Sequence, residues 1–253
     1  MKGFFLFVVR GVLSCLRISK LRKKLIFKLR VFESYLKQGE CKKYQDCLEL
    51  QKIYNIIPRV SDRDFEYPWV IKNVDIKEGR LLDVGSAYSD LLFDLLPQKI
   101  EISAIDLNNF SKNKNIQFVI GDIRKTDFRD NYFDCITCVS TLEHIGVIGR
   151  YGSDEDPRGD IRAVKEMHRI LKRGGALLVT VPYGIRDVLP INKLYNKERI
   201  EILLKDFDIL EQKYLKYDKK WDFWFEVNEQ EASTTDMIKD GWYSLAFIKA
   251  LKK

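Results

Sequence analysis

From residue 80 onward the chain repeats one pattern, a short apolar run closed by an acidic or small residue. The stretch "RLLDVGSAYSD", Arg80 to Asp90, shows it. Leu81 and Leu82 lead into Asp83 and Val84, then Gly85, Ser86 and Ala87 turn the chain, and the apolar run Leu91 to Leu96 follows. An apolar strand, a small-residue turn and a helix together form a nucleotide-binding corner. The same pattern predicts strands over 81–84, 100–105, 116–120, 133–139, 176–181, 207–217 and 242–250. Helical stretches are predicted between several of them, notably over 160–172 and 197–205, and residues 40–79 read as helical and mixed.

Strands alternating with helices predict a doubly wound, Rossmann-like α/β fold whose sheet is mostly parallel and covered on both faces. The residues between the last two strands, "DKKWDFWFEVNEQEASTTDMIKDG", hold no clear long helix. Such a connection suits a return rather than a right-handed crossover, so the last of the seven strands is expected to run antiparallel. In an open parallel sheet, ligands bind at the carboxyl ends of the strands. The first strand closes in Asp83, Val84, Gly85 and Ser86. The second, "EISAIDLN", closes in Asp106, 21 residues after Gly85, where a carboxylate can accept both hydroxyls of an adenosine ribose. The third, "IQFVIGDI", closes in Gly121 and Asp122, a carboxylate placed to accept the amino group of a purine, and the fourth in "STLEHIG". One Asp after a strand is more often a turn or helix cap than a ligand contact. Their occurrence together, in order, is much harder to obtain by chance.

With 253 residues, 45% of them hydrophobic, the chain can bury a full core. Its formal net charge of +7 is unevenly placed, because residues 1–30 hold nine Lys and Arg and no acid, leaving −2 for the remainder. A near-neutral body argues against a nucleic-acid surface, which needs basic residues on the domain itself. Neither "GFFLFVV" nor "GVLSCLRI" approaches the roughly 20 apolar residues of a spanning helix or the unbroken core of a secretory signal. From Leu21, the residues Leu25, Leu29, Phe32 and Leu36 fall at helical spacing among basic side chains. Two readings stay open for residues 1–36: peripheral contact with an anionic membrane surface, or packing on the domain or a partner chain. The expected organisation is a basic amphipathic helical segment, 1–40, followed by a domain, 41–253. Cys15, Cys41, Cys47, Cys135 and Cys138 make an odd count. In the strand "FDCITCVS", Cys135 and Cys138 point to opposite faces and read as ordinary buried thiols rather than a metal or redox pair. The protein therefore reads as reduced and cytoplasmic, at the inner face of the membrane if its first segment binds there.

Taken together, "LLDVGSAYS", "AIDLN", "VIGDI", "FDCITCVSTLEHI" and "EMHRILKRGGALLVTVPYG" make the chain resemble the class I S-adenosylmethionine-dependent methyltransferases, type 11-like, over roughly residues 64–253. The resemblance implies a seven-stranded sheet with its last strand antiparallel and S-adenosyl-L-methionine as cofactor, with no metal. It also implies donor contacts at Asp83, Gly85, Ser86, Ala87, Asp106, Leu107, Asp122, Ile123 and Ser140. The family's G-x-G-x-G is reduced here to Gly85, Ala87 and Ser89. The run "GRYGSDEDPRGDIRAV" is similar to a branch of the family associated with surface glycans. A nicotinamide dinucleotide site is the runner-up, yet Tyr88 and Asp90 crowd the third-glycine region. A carboxylate there repels a pyrophosphate and suits a cationic sulfonium.

Methyl transfer requires nucleophile and methyl group in line, and a base where the acceptor is a hydroxyl. His144 follows the fourth strand and is either that base or a residue packing under the loop. Glu143 reads as structural, and His168, inside a helix, as a packing or surface residue. The segment Gly146 to Asp160 reads as an acceptor-binding lid or a solvated connection. Trp221, Phe223, Trp224 and Phe225 read as a stacking surface or as core. The expected reaction is methylation, at a hydroxyl, of a small-molecule or glycan acceptor. The alternatives are a catalytically silent donor-binding partner subunit, or a methyltransferase for a lipid or quinone.

Overall fold

The computed structural model describes residues 61–86, 96, 99–108, 116–147, 154–189, 192–218, 223–240 and 242–253. The expected basic segment 1–40, the apolar run 91–95 and the turn residue Ala87 lie outside them, as do Cys15, Cys41, Cys47 and Trp221. The chain divides into two compact units, 1–69 and 70–253. Helix α1, Arg63–Asn73, runs across that division. In the first unit, Arg63 pairs with the buried Glu66 at 2.5 Å.

The second unit is built on strands β1 (Gly79–Val84), β2 (Ile100–Asp106), β3 (Gln117–Ile120) and β4 (Phe133–Val139). Helix α2 (Gly159–Ile170), strand β5 (Leu171–Tyr183), helix α3 (Lys197–Leu203) and strand β6 (Phe207–Asp218) follow. The chain ends with β7 (Phe223–Val227), the short helices α4 (Glu229–Ser233) and α5 (Met237–Asp240), and β8 (Ser244–Lys252). Among the described residues the sheet has eight strands, in the order β3-β2-β1-β4-β5-β8-β6-β7. β1 to β5 are mutually parallel, β8 runs antiparallel between β5 and β6, and β7 pairs antiparallel with β6.

This corrects the expectation of seven strands with one reversed. The additional strand is "FWFEV", inside the connection read as irregular. Its aromatic and β-branched residues suit a strand. Phe223 and Trp224 are buried, so two of the clustered aromatics belong to the core. β5 is also longer than predicted. Leu171 pairs with Phe133 and the next pair is Ala176 with Cys135, so residues 172–175 form a bulge at Gly174 and Gly175 and the strand resumes. There Asp134 holds the sheet together by accepting from Lys172 Nζ at 2.6 Å and from the Arg80 N–H at 2.9 Å.

Residues 81–84 of β1 and 135–139 of β4 are buried without alternation, as strands covered on both faces must be. Cys135 and Cys138 are buried and form no disulfide, and burial pushes the Cys135 thiol up to about 12. On α2, Ala163, Val164, Met167 and Ile170 make the apolar stripe that joins the core. His168, on the same helix, packs edge-on against Phe207 with ring centroids 5.2 Å apart.

The polar side of α2 is fixed by Glu166. Its carboxylate accepts from the Thr126 N–H at 2.8 Å, the Thr126 hydroxyl at 2.7 Å and the Arg169 guanidinium at 2.6 and 2.9 Å. The hydrogen bonds from Arg169, reinforced by those from Thr126, outweigh burial and hold the carboxyl down at about 2. A carboxyl depressed on folding contributes stability above its unfolded value, and that stability is lost as the pH falls through the folded one. Glu166→Gln is therefore expected to lower stability at pH 7 by about 1–3 kcal/mol. The deficit should narrow as the pH falls from about 4.5 towards about 2. Urea melts at pH 7 and about pH 3.5 measure both quantities.

Candidate functional site

Parallel pairing brings the carboxyl ends of β1 to β4 side by side, with Asp83 beside Ala104 and Thr137, and Asp106 beside Ile120. At the end of β1, the buried Asp83 carboxylate accepts the Thr137 hydroxyl at 2.5 Å, and the Ser86 hydroxyl donates to the Asp83 carbonyl at 2.8 Å. Gly85 has φ +80°, and its N–H donates to the Ile105 carbonyl at 2.9 Å. A Cβ at Gly85 would lie 2.1 Å from Thr141 Oγ1. The close neighbour that excludes a side chain from this face of the corner is therefore the protein's own Thr141. Its hydroxyl lies 2.9 Å from the Val139 carbonyl and 3.3 Å from that of Val84, bridging the ends of β4 and β1.

Asp106 is half-buried, and its Oδ1 accepts from the Asn108 N–H at 3.0 Å. Leu107 beside it is exposed. At the end of β3, Asp122 is gripped by Arg124, whose Nε and Nη2 reach Asp122 Oδ2 at 2.9 and 2.5 Å while its N–H reaches Oδ1 at 2.9 Å. Burial pushes the Asp122 carboxyl up, but the hydrogen bonds from Arg124 outweigh it and hold the group below the usual carboxylate range. An amino group approaching Asp122 must share it with Arg124 or displace it. Ile123 packs into the core.

Arg124 also reaches Asp156, Nη1 to Oδ2 at 3.1 Å. The hydrogen bond from Arg162 is the leading cause that keeps the Asp156 carboxyl below its usual range. The Asp156 N–H donates to the Gly146 carbonyl at 3.0 Å, and at Gly146, φ +75°, a Cβ would meet the Asp156 carbonyl oxygen at 2.0 Å. The two flanks of the segment read as a lid are thus held together, and residues 148–153 between them lie outside the described ones.

After β4, Ser140 has φ +40°, and its N–H donates to the Thr180 carbonyl at 3.0 Å and the Thr180 hydroxyl at 3.1 Å. The chain then makes a single 3₁₀ turn, Leu142–His144. His144 Nε2 lies 3.7 Å from Glu143 Oε1, with the imidazole 17% and the carboxylate 3% exposed. That is ion-pair distance for a protonated imidazole and longer than a hydrogen bond. The buried Glu143 carboxylate thus faces the imidazole directly. Sequence reasoning missed Thr137, Thr141 and Arg124, and it placed Asp156 in the charged segment Gly146 to Asp160 without its partners Arg124 and Arg162. Only Thr141, in "STLEHI" directly after the strand, carried a positional signal.

A family model described as "Caenorhabditis protein of unknown function, DUF268" matches residues 96–249. The ubiquinone/menaquinone biosynthesis C-methyltransferase UbiE of Vibrio cholerae is 30% identical over 141 residues, covering 50% of this chain and 49% of the relative. That of Haemophilus ducreyi is 31% identical over 122 residues, covering 48% and 42%. The chain thus spans about half the length of the curated relatives it matches. Among solved structures, the cyclase SpnF superposes with a TM-score of 0.52 at 19% identity, over 74% of this chain and 80% of that one. YcgJ of Bacillus subtilis superposes with a TM-score of 0.52 at 16% identity, over 74% and 98%. Those identities speak to the fold alone.

The corner between β1 and β4 leaves no room for a Cβ at Gly85. Gly85→Ala is expected to lose at least about 2 kcal/mol, from the positive φ and the overlap with Thr141 together. Ser86→Ala, which removes one buried hydroxyl bond, should lose about 1 kcal/mol. Equal losses in denaturant melts of the two variants would show that the corner accommodates a side chain.

Proposed function

We propose that this chain, which belongs to the DUF268 family and has the class I S-adenosylmethionine-dependent methyltransferase fold, is itself such a methyltransferase. One observation carries the reading: Asp83 and Gly85, Asp106, and Asp122 stand at the ends of the adjacent strands β1, β2 and β3, beside the turn that carries His144. Carboxylates in that row suit ribose hydroxyls, an amino group and a cationic sulfur, and they oppose the pyrophosphate of a dinucleotide. In this reading Asp106 holds the ribose, and Asp122 and the backbone at Ile123 hold the adenine. Gly85, Ser86, Ala87 and Ser140 border the methionine part, with Asp83 supporting the corner and Leu107 flanking the adenosine.

When bound, S-adenosyl-L-methionine supplies a methyl carbon on a cationic sulfur, which keeps the carbon–sulfur electron pair as an acceptor oxygen bonds to the carbon. His144 takes the proton from the acceptor hydroxyl, and the Glu143 carboxylate 3.7 Å away stabilises the imidazolium that results. The acceptor is a small molecule or glycan methylated at oxygen. A second reading, carbon methylation of a quinone, is supported by the names of the relatives from Vibrio cholerae and Haemophilus ducreyi.

Calorimetry should detect S-adenosylhomocysteine binding that weakens at least about tenfold in Asp106→Ala. Saturable binding of a nicotinamide dinucleotide, with no response to the methyl donor or its product, would overturn the assignment. With donor binding intact, His144→Ala should cost roughly 10²-fold or more in turnover of labelled donor with cell extract as acceptor source. Full activity would remove His144 from the mechanism, and donor binding without turnover in the unaltered protein would favour the silent partner subunit.

We further propose that residues 1–36 bring the enzyme to an anionic membrane surface. The support is nine basic residues without an acid in the first 30. Among the described residues no helix is long and apolar enough to cross a membrane. Each basic residue near an anionic leaflet adds about 1 kcal/mol. The full chain should sediment with anionic liposomes at low salt and release at high salt, while a 37–253 protein stays in solution. Equal sedimentation of both proteins would assign the segment to packing instead.

A further inference from the structure

Next to the His144 turn, on the side of β5, lies a cavity of about 370 Å³, within the size range of small-molecule sites. Val147, the first turn of α2, α3 and the segment after β5 enclose it. Two hydrogen bonds tie it to the turn that carries the candidate base. The Lys193 N–H donates to the Glu143 carbonyl at 3.1 Å, and Lys193 Nζ donates to the Ile145 carbonyl at 3.0 Å.

The polar groups of the cavity are already committed to one another in a particular sense. Lys193, buried, also reaches the Pro157 carbonyl at 3.4 Å and Asp160 Oδ1 at 3.1 Å, so its three hydrogens are spoken for. The Tyr195 hydroxyl donates to Asp160 Oδ2 at 2.9 Å, and burial keeps that phenol protonated by pushing it well above its usual value. Arg199 grips Asp187 with both Nη atoms, at 2.5 and 3.0 Å, and reaches the Leu194 carbonyl at 2.6 Å. Both cations are thus already paired with a carboxylate, Lys193 with no hydrogen left over and Arg199 with three of its five N–H groups in use. The carboxylates do have capacity, since each accepts about four hydrogen bonds. With Glu155, the lining holds three carboxylates against two cations. Apolar side chains complete the wall, among them Ile161, Leu189 and Ile202, each of which is exposed to solvent.

We propose that this cavity is the acceptor pocket, and that it takes an uncharged amphiphile with an apolar body and several hydroxyl groups. The proposal rests on the methyltransferase reading. A cavity rich in acceptors and poor in donors needs a ligand that brings its own donors, and hydroxyls do so without a charge. The apolar wall favours burial of the ligand's body. An anion would meet three carboxylates and two cations that already neutralise carboxylates of their own, so it would be repelled rather than paired.

The matched probes are n-octyl β-glucoside and n-octyl β-glucuronide, which differ by one carboxylate, each used below its micelle concentration with the full chain. The glucoside should bind saturably in calorimetry, and the glucuronide at least about tenfold more weakly. Ile202→Trp, which fills the cavity from α3, should weaken glucoside binding at least about tenfold and leave S-adenosylhomocysteine affinity within about twofold. Leu189→Trp fills it from the loop, so one variant serves if the other fails to fold. In labelled-donor turnover with cell extract, the filled variants should lose activity while still binding the donor product. Glucoside binding that is absent, that is untouched by both variants, or that the glucuronide matches would overturn the proposal. Glucoside binding lost in the variants, in a protein indifferent to S-adenosylhomocysteine, would overturn the methyltransferase reading and keep the pocket as a ligand site.

Discussion

The hydrogen bond from Thr137 to the buried Asp83 carboxylate is the contact on which the geometry of the candidate site depends. A carboxylate taken out of water is costly unless its lone pairs are used, and here the donor comes from the neighbouring strand. That couples the ends of β1 and β4 as well as the ladder does. Thr141 completes the junction, with its hydroxyl between the carbonyls of Val84 and Val139 and its side chain in the space that Gly85 leaves. The corner after β1 and the turn carrying His144 are therefore one packed unit.

A second tier of charged contacts places the loops around that unit. Arg124 joins Asp122, after β3, to Asp156, before α2, and Glu166 on α2 holds Thr126 in the same inter-strand loop. Asp156 is itself pinned to Gly146, just after the His144 turn. The Arg124 and Glu166 contacts are charge-assisted bonds, which are shorter and stronger than neutral ones, and a backbone bond carries the first set on to Gly146. A group that competes for Asp122 acts on Arg124, and through it on the segment bordering the cavity at Glu155 and Pro157.

The parallel half of the sheet was legible from the chain alone. β4 begins and ends where its apolar run does, at Phe133 and Val139, and β1, β2, β3 and β6 differ from the predicted bounds by no more than two residues at either end. β1 and β4, buried on both faces, read as unbroken apolar runs that fix their period. The far edge was less legible. "FWFEV" became the edge strand β7 because β6 offers it an antiparallel partner, Trp224 beside Tyr217 and Phe225 beside Lys216. Pairing with the preceding strand or with none depends on tertiary contacts that a run of five residues does not encode.

By itself the sequence determined the order of the strands other than β7, the acidic or glycine residue at the ends of β1 to β3, and a concentration of positive charge in the first 30 residues. Each follows from local chemistry: periodicity, turn-forming residues and side-chain charge. Tertiary structure alone decided which neighbour each of those residues meets. It gave Asp122 to Arg124, filled the space at Gly85 with Thr141, and buried Lys193 against Asp160 beside a cavity. Those partners lie between 2 and 56 residues apart, and even the nearest pair needed a particular loop conformation. The distant ones meet because parallel pairing aligns strand ends that the chain reaches only after a crossover, so their contacts follow from the packing of the whole sheet.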